Sequence, residues 1–183
     1  LTPFKLFEAY VTLKDPSAKP VRARTYRHSA QALEIINEHV KTMLNDGMIY
    51  RASSAYACPA FLVRKSNNKF RLVVDFRTTN QLIHDDIFLP GTIQHFIQKA
   101  SNIRPRYFSS FDLCQAFLQI QIRESDRHLL AFTVDTSTFC FNRLYFGLKV
   151  APAFMCRAIN EVIQSQEMLA KYVLCYVDDL CVL

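Results

Sequence analysis

The chain has 183 residues, enough for one domain or two closely packed lobes around a real core. Half of them are hydrophobic and 13% aromatic, which excludes a disordered chain, and no apolar run approaches the ~20 residues that span a bilayer. The net charge of +6 is uneven: residues 1–80 carry 13 Lys or Arg against 6 Asp or Glu, and residues 81–183 carry 9 against 10, so the basic front half suits either a phosphate-gripping surface or an ordinary solvated face.

In chain order, residues 1–28 are polar and broken by Pro16 and Pro20, with a basic cluster of Arg22, Arg24, Arg27 and His28; they read as an extended lead-in. Ser29 is suited to cap a helix from Ala30 to about Asp46, with Leu33, Ile36, Val40, Met43 and Leu44 on one stripe and Gly47 as its stop. Two strand-like runs follow, Ala60–Lys65 and Phe70–Phe76, joined by Ser66-Asn67-Asn68-Lys69. An Asn-rich turn between β-prone runs predicts a hairpin, and Arg64, Lys65, Lys69 and Arg71 make it basic.

A loop with Pro90-Gly91 precedes a helix from Thr92 to about Ala100. Tyr107–Phe111 reads as a strand ending at Asp112, with short helical or irregular structure from Gln115 to Ile120. Leu129–Val134 and Phe139–Leu144 read as a strand pair. Pro152 suits the first turn of a helix reaching about Gln166, with Met155, Ile159, Val162 and Ile163 along one face. Tyr172 to Leu183 forms two short apolar strands interrupted by Asp178-Asp179. Helices mixed with mostly antiparallel strands make an α+β chain.

The six cysteines show no C-x-x-C pair and no histidine at zinc-ligand spacing, so buried free thiols and a reducing, intracellular setting are expected. The start without methionine and the apolar finish Leu180-Cys181-Val182-Leu183 read as cut ends of a longer chain.

Tyr176-Val177-Asp178-Asp179 is the sharpest feature. Adjacent carboxylates between apolar strands are costly unless exposed, paired or metal-bound, and a tight turn exposes them. Alone, the pair also fits an ordinary turn, just as Asp112 alone fits a helix cap. Together the acids suit phosphoryl transfer to a nucleotide, which uses two divalent ions held by hard oxygen ligands.

Several ordered motifs carry a family resemblance from about Tyr26 onward. Ser53-Ser54-Ala55-Tyr56-Ala57-Cys58-Pro59 precedes the hairpin. Arg71-Leu72-Val73-Val74-Asp75-Phe76-Arg77 is followed by Asn80. Phe111-Asp112-Leu113 leads to Gln115-Ala116-Phe117 and Gln119-Ile120. Ala131-Phe132-Thr133, Phe146-Gly147-Leu148 and Ala151-Pro152-Ala153-Phe154 come next, and Tyr176-Val177-Asp178-Asp179 closes the series. This sequence resembles the reverse transcriptases of gypsy-like long-terminal-repeat retrotransposons.

The resemblance implies a polymerase right-hand fold, fingers plus palm, with an antiparallel palm sheet backed by helices. The lobes would be an extended lead-in (1–28), fingers (29–80) and mainly palm (81–183), short of a thumb. It implies RNA-directed DNA polymerase activity, with two Mg²⁺ ions, or Mn²⁺ in their place, held by Asp112 and Asp178, and with Asp179 as a third acid that coordinates less directly. Lys65 and Arg71 would lie over the incoming triphosphate, with Arg64 as the rival of Lys65. Phe117 would sit under the sugar, and Phe146 and Gly147 would line the nucleotide pocket, although both rings also suit plain core packing. Partners would be a primed RNA or DNA template, deoxynucleoside triphosphates and the thumb and RNase H of a Pol polyprotein, in the cytoplasm or a virus-like particle, with no membrane. Two other functions fit the same residues: an inactive nucleic-acid-binding remnant, and an RNA-dependent RNA polymerase. Lys149-Val150 and the tip Asn67-Asn68 depart from the family pattern, which has a small or polar pair and an Asp-Gly turn there.

Overall fold

The computed structural model describes residues 4–66, 68–86, 88, 93–176 and 179–183. Its first element is a strand, β1 (Phe4–Ala9), within the segment whose sequence carries no strand signal. Helix α1 (Ala30–Asn45) follows as expected: the Ser29 hydroxyl accepts the Ala32 N–H at 3.2 Å, and Gly47 takes φ +64° just past the end. Ile36, Val40 and Met43 are its buried stripe.

Strand β2 (Ile49–Arg51) leads to the hairpin of β3 (Cys58–Arg64) and β4 (Phe70–Val74). Asn68, with φ +60°, supplies a left-handed turn residue where an Asp-Gly tip would use its glycine; Asn67 lies outside the described residues. A one-and-a-half-turn helix, α2 (Arg77–Leu82), follows directly, then α3 (Ile93–Ile103), whose expected start at Thr92 and preceding Pro90-Gly91 lie outside the described residues.

Strand β5 (Ser109–Asp112) and a 3₁₀ turn over Ala116–Gln119 precede β6 (Ile120–Ile122). A second 3₁₀ turn, Glu124–Leu130, takes the place of the first half of the strand expected from Leu129, so β7 is only Phe132–Val134. Its partner β8 is Ser137–Phe141. Helix α4 (Ala151–Gln164) begins with Pro152 in its first turn, α5 (Glu167–Tyr172) follows, and β9 (Val173–Tyr176) and β10 (Asp179–Val182) end the chain.

The strands form three sheets: β1 parallel to β6, a five-stranded sheet in the order β2-β8-β7-β3-β4, and a three-stranded antiparallel sheet in the order β5-β10-β9. In the five-stranded sheet β3 runs parallel to β7 through the pairs Cys58–Phe132 and Pro59–Thr133, so it draws strands from both sides of residue 80. Phe76, Phe132, Phe141 and Tyr145 meet as a buried aromatic cluster, with the Phe141 and Tyr145 rings stacked at 4.4 Å. Helices α4 and α5 pack on β9. The Lys99 ammonium of α3 donates to the Ala170 and Val173 carbonyls, fastening α3 to the end of α5. Among the described residues no helix is long and apolar enough to cross a membrane.

Among the described residues, which include all six cysteines, no disulfide forms. Cys58, Cys140 and Cys156 are buried as expected, but Cys114 is exposed because it lies in the open turn after β5.

Candidate active site

The three-stranded sheet organises the acids through its register. β10 lies between β5 and β9, with Asp179 directly opposite Asp112 on one side and Tyr176 on the other. Cross-strand partners share a face, and successive residues alternate between faces. One step along the ladder, Leu180 pairs with Phe111 on the opposite face. There Phe111, Leu180 and Val182 join Met155 and Ile159 of α4 around an apolar cavity of about 330 Å³. The alternation that half-buries the leucine and valine therefore turns the two acids outward.

Asp112 and Asp179 are exposed, and among the described residues neither accepts a side-chain hydrogen bond nor pairs with a cation. The capping reading of Asp112 fails: the next helical turn begins at Ala116, with Gln115 at its N-cap. Like charges directly opposite each other destabilise an antiparallel pair by tenths of a kcal/mol. A divalent cation removes that penalty, and two hard carboxylates at strand ends are the donor chemistry it takes. Asp178, joining the paired Tyr176 and Asp179 with Val177, lies outside the described residues. Among the described residues no three acidic, His or Cys groups converge.

The hairpin register separates its cations. Val63 pairs with Arg71, and Arg64 with Phe70. Alternation puts Arg71 on the face of Val63, and continuing it by one residue carries Lys65 to that face and leaves Arg64 on the other. Lys65 and Arg71 are both exposed.

Residues 145–149 run beside β4. The buried Tyr145 hydroxyl donates to the Leu72 carbonyl at 2.8 Å, and burial pushes its phenol pKa above the ordinary value. The Arg71 guanidinium carbon stands 5.6 Å from the centre of the half-buried Phe146 ring, which stacks on Tyr145 at 4.0 Å. Gly147 has φ +92° and is exposed. Lys149, one of the departures from the family pattern, pairs with Asp85 at 2.8 Å, while Val150 is buried at the start of α4. Phe117 is half-buried on the 3₁₀ turn after Asp112, packed against the core, and Gln115 enters that turn with φ +50°.

Sequence reasoning missed one cluster. The Arg77 guanidinium donates to both Asp75 oxygens, at 2.6 to 3.0 Å, and the Tyr26 hydroxyl donates to Asp75 at 2.8 Å. The Asp75–Arg77 spacing was a local signal for it; Tyr26, 49 residues away, had none.

Residues 63–183 match the family described as reverse transcriptase (RNA-dependent DNA polymerase). Over its whole length the chain is 31% identical to the retrovirus-related Pol polyprotein from transposon 412 of Drosophila melanogaster, covering 15% of that protein. It is 30% identical to the Pol polyprotein from transposon gypsy of the same fly, over 93% of the chain and 17% of that protein. Among solved structures, a foamy viral protease-reverse transcriptase in complex with double-stranded DNA superposes with a TM-score of 0.72 at 20% identity, over 94% of this chain and 30% of that one. The native prototype foamy virus protease-reverse transcriptase gives 0.74 at 23%, over 93% and 22%.

Proposed function

Because this chain belongs to the reverse transcriptase (RNA-dependent DNA polymerase) family and has its α+β right-hand fold, we propose that it carries the fingers and palm of a retrotransposon Pol polyprotein and extends a primer 3′-end with deoxynucleotides on an RNA or DNA template. The palm is the β5-β10-β9 sheet backed by α4 and α5. The fingers are the five-stranded sheet with α1, grouped by sheet membership and not by a cut at residue 80.

The observation that carries this reading is the Asp112–Asp179 pair, two outward carboxylates in register with no basic partner among the described residues. Asp178, the neighbour of Asp179 in the sequence, is the third acid of this reading. These three acids would hold two Mg²⁺ ions, whose chemistry is to acidify the primer hydroxyl and offset charge on the triphosphate. Lys65 and Arg71, sharing a hairpin face, would neutralise the triphosphate from the other side. Phe146 and Gly147 would line the nucleotide pocket, and Phe117 would close it beneath the sugar.

The test is primer extension on a primed RNA template with Mg²⁺ by this chain within a longer Pol segment that includes the thumb, compared with the Asp112→Asn variant of the same segment. Extension that needs the metal and Asp112 supports the proposal; the absence of extension with both Mg²⁺ and Mn²⁺ overturns it.

A further inference from the structure

Asn80 belongs to a sequence motif to which the proposed chemistry gives no role, yet it makes two hydrogen bonds to the loop carrying Phe146 and Gly147. Its Nδ2 donates to the Gly147 carbonyl at 2.9 Å, and its Oδ1 accepts the Lys149 N–H at 2.9 Å. A carbonyl only accepts and a backbone N–H only donates, so the carboxamide has one possible orientation. Aspartate would lack the donor, alanine both groups, and glutamine would add a methylene.

Asn80 lies in α2, immediately after the β4 strand that carries Arg71. The loop therefore meets β4 and α2 at successive points. Tyr145 bonds to Leu72, Arg71 lies over Phe146, and Asn80 holds Gly147 and Lys149. Gly147 itself lies close enough to the hairpin that a Cβ there would stand 3.6 Å from the Phe76 ring and 3.7 Å from the Val74 carbonyl oxygen. Of these links, the Asn80 carboxamide is the one that fixes the backbone on both sides of Leu148.

We propose that Asn80 is a positioning residue for the incoming nucleotide, holding loop 145–149 against the basic hairpin so that Arg71 and Phe146 act as one unit. This inference rests on the reading of that loop as a wall of the nucleotide pocket. Asn80 need not touch the nucleotide. Releasing the loop lets Phe146 and Gly147 move independently of Arg71, so affinity for the nucleotide falls while affinity for the primer–template stays.

The experiment measures the Kd of the next deoxynucleotide in the complex with a dideoxy-terminated primer on a template, which needs no turnover. Asn80→Ala is expected to raise that Kd roughly five- to 150-fold, the range expected from losing two neutral hydrogen bonds. Primer–template Kd should change less than twofold, and hydrogen exchange at the Lys149 amide should accelerate. Asn80→Asp should bind nucleotide no better than Asn80→Ala. A purely structural role predicts a lower Tm and a smaller active fraction with unchanged nucleotide Kd, and that result overturns the proposal. Extension of an unblocked primer is scored separately. Extension by the unsubstituted chain with an unmoved Kd in Asn80→Ala sinks the positioning role and leaves the polymerase reading standing. No extension, with a shifted Kd, does the reverse.

Discussion

Asp112 and Asp179 face each other across the β5–β10 ladder, each on the outward side of its strand, with no basic side chain paired to either among the described residues. The arrangement sets function against stability, because the sheet would be more stable with one of the charges removed.

Asp112→Asn should therefore separate the two properties. Extension should fall by at least the ~10- to 100-fold that even groups behind the metal ligands cost. Stability should hold or rise by a few tenths of a kcal/mol, since no cavity forms and a like-charge contact disappears. Extension assays and urea unfolding of the same preparation check both; a variant with near-normal turnover in Mg²⁺ would remove Asp112 from the site.

The hairpin register predicts unequal effects from three neighbouring cations. Arg71→Ala and Lys65→Ala should each raise the KM for deoxynucleotide by about tenfold, in keeping with a lost charged hydrogen bond. Arg64→Ala should change it less than twofold, because Arg64 pairs with Phe70 on the opposite face. An Arg64 effect as large as that of Lys65 would show that alternation fails at the turn.

Phe117→Val tests whether the ring excludes the 2′-hydroxyl of a ribonucleotide. A steric gate predicts that the deoxy preference in kcat/KM shrinks by an order of magnitude or more, since about 1.4 kcal/mol is tenfold. Its half-buried packing against the core makes a rival prediction, equal losses for both nucleotides together with lower stability. Matched kcat/KM measurements distinguish a changed ratio from a constant one.

Gly147→Ala should destabilise the chain by roughly 1–2 kcal/mol through its backbone, because φ +92° is unfavourable for any Cβ. The new methyl itself meets only ordinary contacts. Gly47→Ala, at φ +64° with open space around it, should lose a similar amount. Only the Gly147 variant should also weaken nucleotide binding. Denaturant titrations of the two, beside nucleotide Kd, provide the comparison.

Acid should loosen the Tyr26–Asp75–Arg77 cluster. The Arg77 guanidinium first, and then the Tyr26 hydroxyl, hold the Asp75 carboxyl well below the usual carboxylate range. A depressed folded pKa means that the contribution is fully present above the unfolded value of about 3.9 and is lost as pH falls towards the folded one. Unfolding free energy should therefore drop below about pH 4, and Asp75→Asn should flatten that part of the profile. An unchanged slope in the variant would assign the acid sensitivity to other carboxylates.

Local patterns made much of this structure legible. The Ser29 cap, the Ile36-Val40-Met43 stripe and Gly47 define α1, and the apolar runs on either side of the Asp178-Asp179 pair define β9 and β10. What stayed hidden is non-local or has no period. α2 and α5 are six residues each, too short to display a face, and β6 has three residues. β1 is held by parallel pairing with a strand more than 110 residues away. At the site, the motif order singled out the acids, but only the register shows that Asp179 stands opposite Asp112 and that Arg64 and Lys65 diverge. The Lys149 departure is compensated by Asp85, 64 positions earlier, a partnership without a local signal.

The parallel pairing of β3 with β7 also imposes a schedule on synthesis. The ribosome completes β4 at Val74 but reaches β7 only at Phe132, and β8 closes the sheet at Phe141. At about 5–20 residues per second, the nascent hairpin waits several seconds with the β3 end at Cys58 and Pro59 unmatched. During that interval the exposed strand is open to a neighbouring nascent chain on the same message. Slow translation between residues 75 and 131 should therefore reduce the yield of folded protein more than the same delay placed after residue 141.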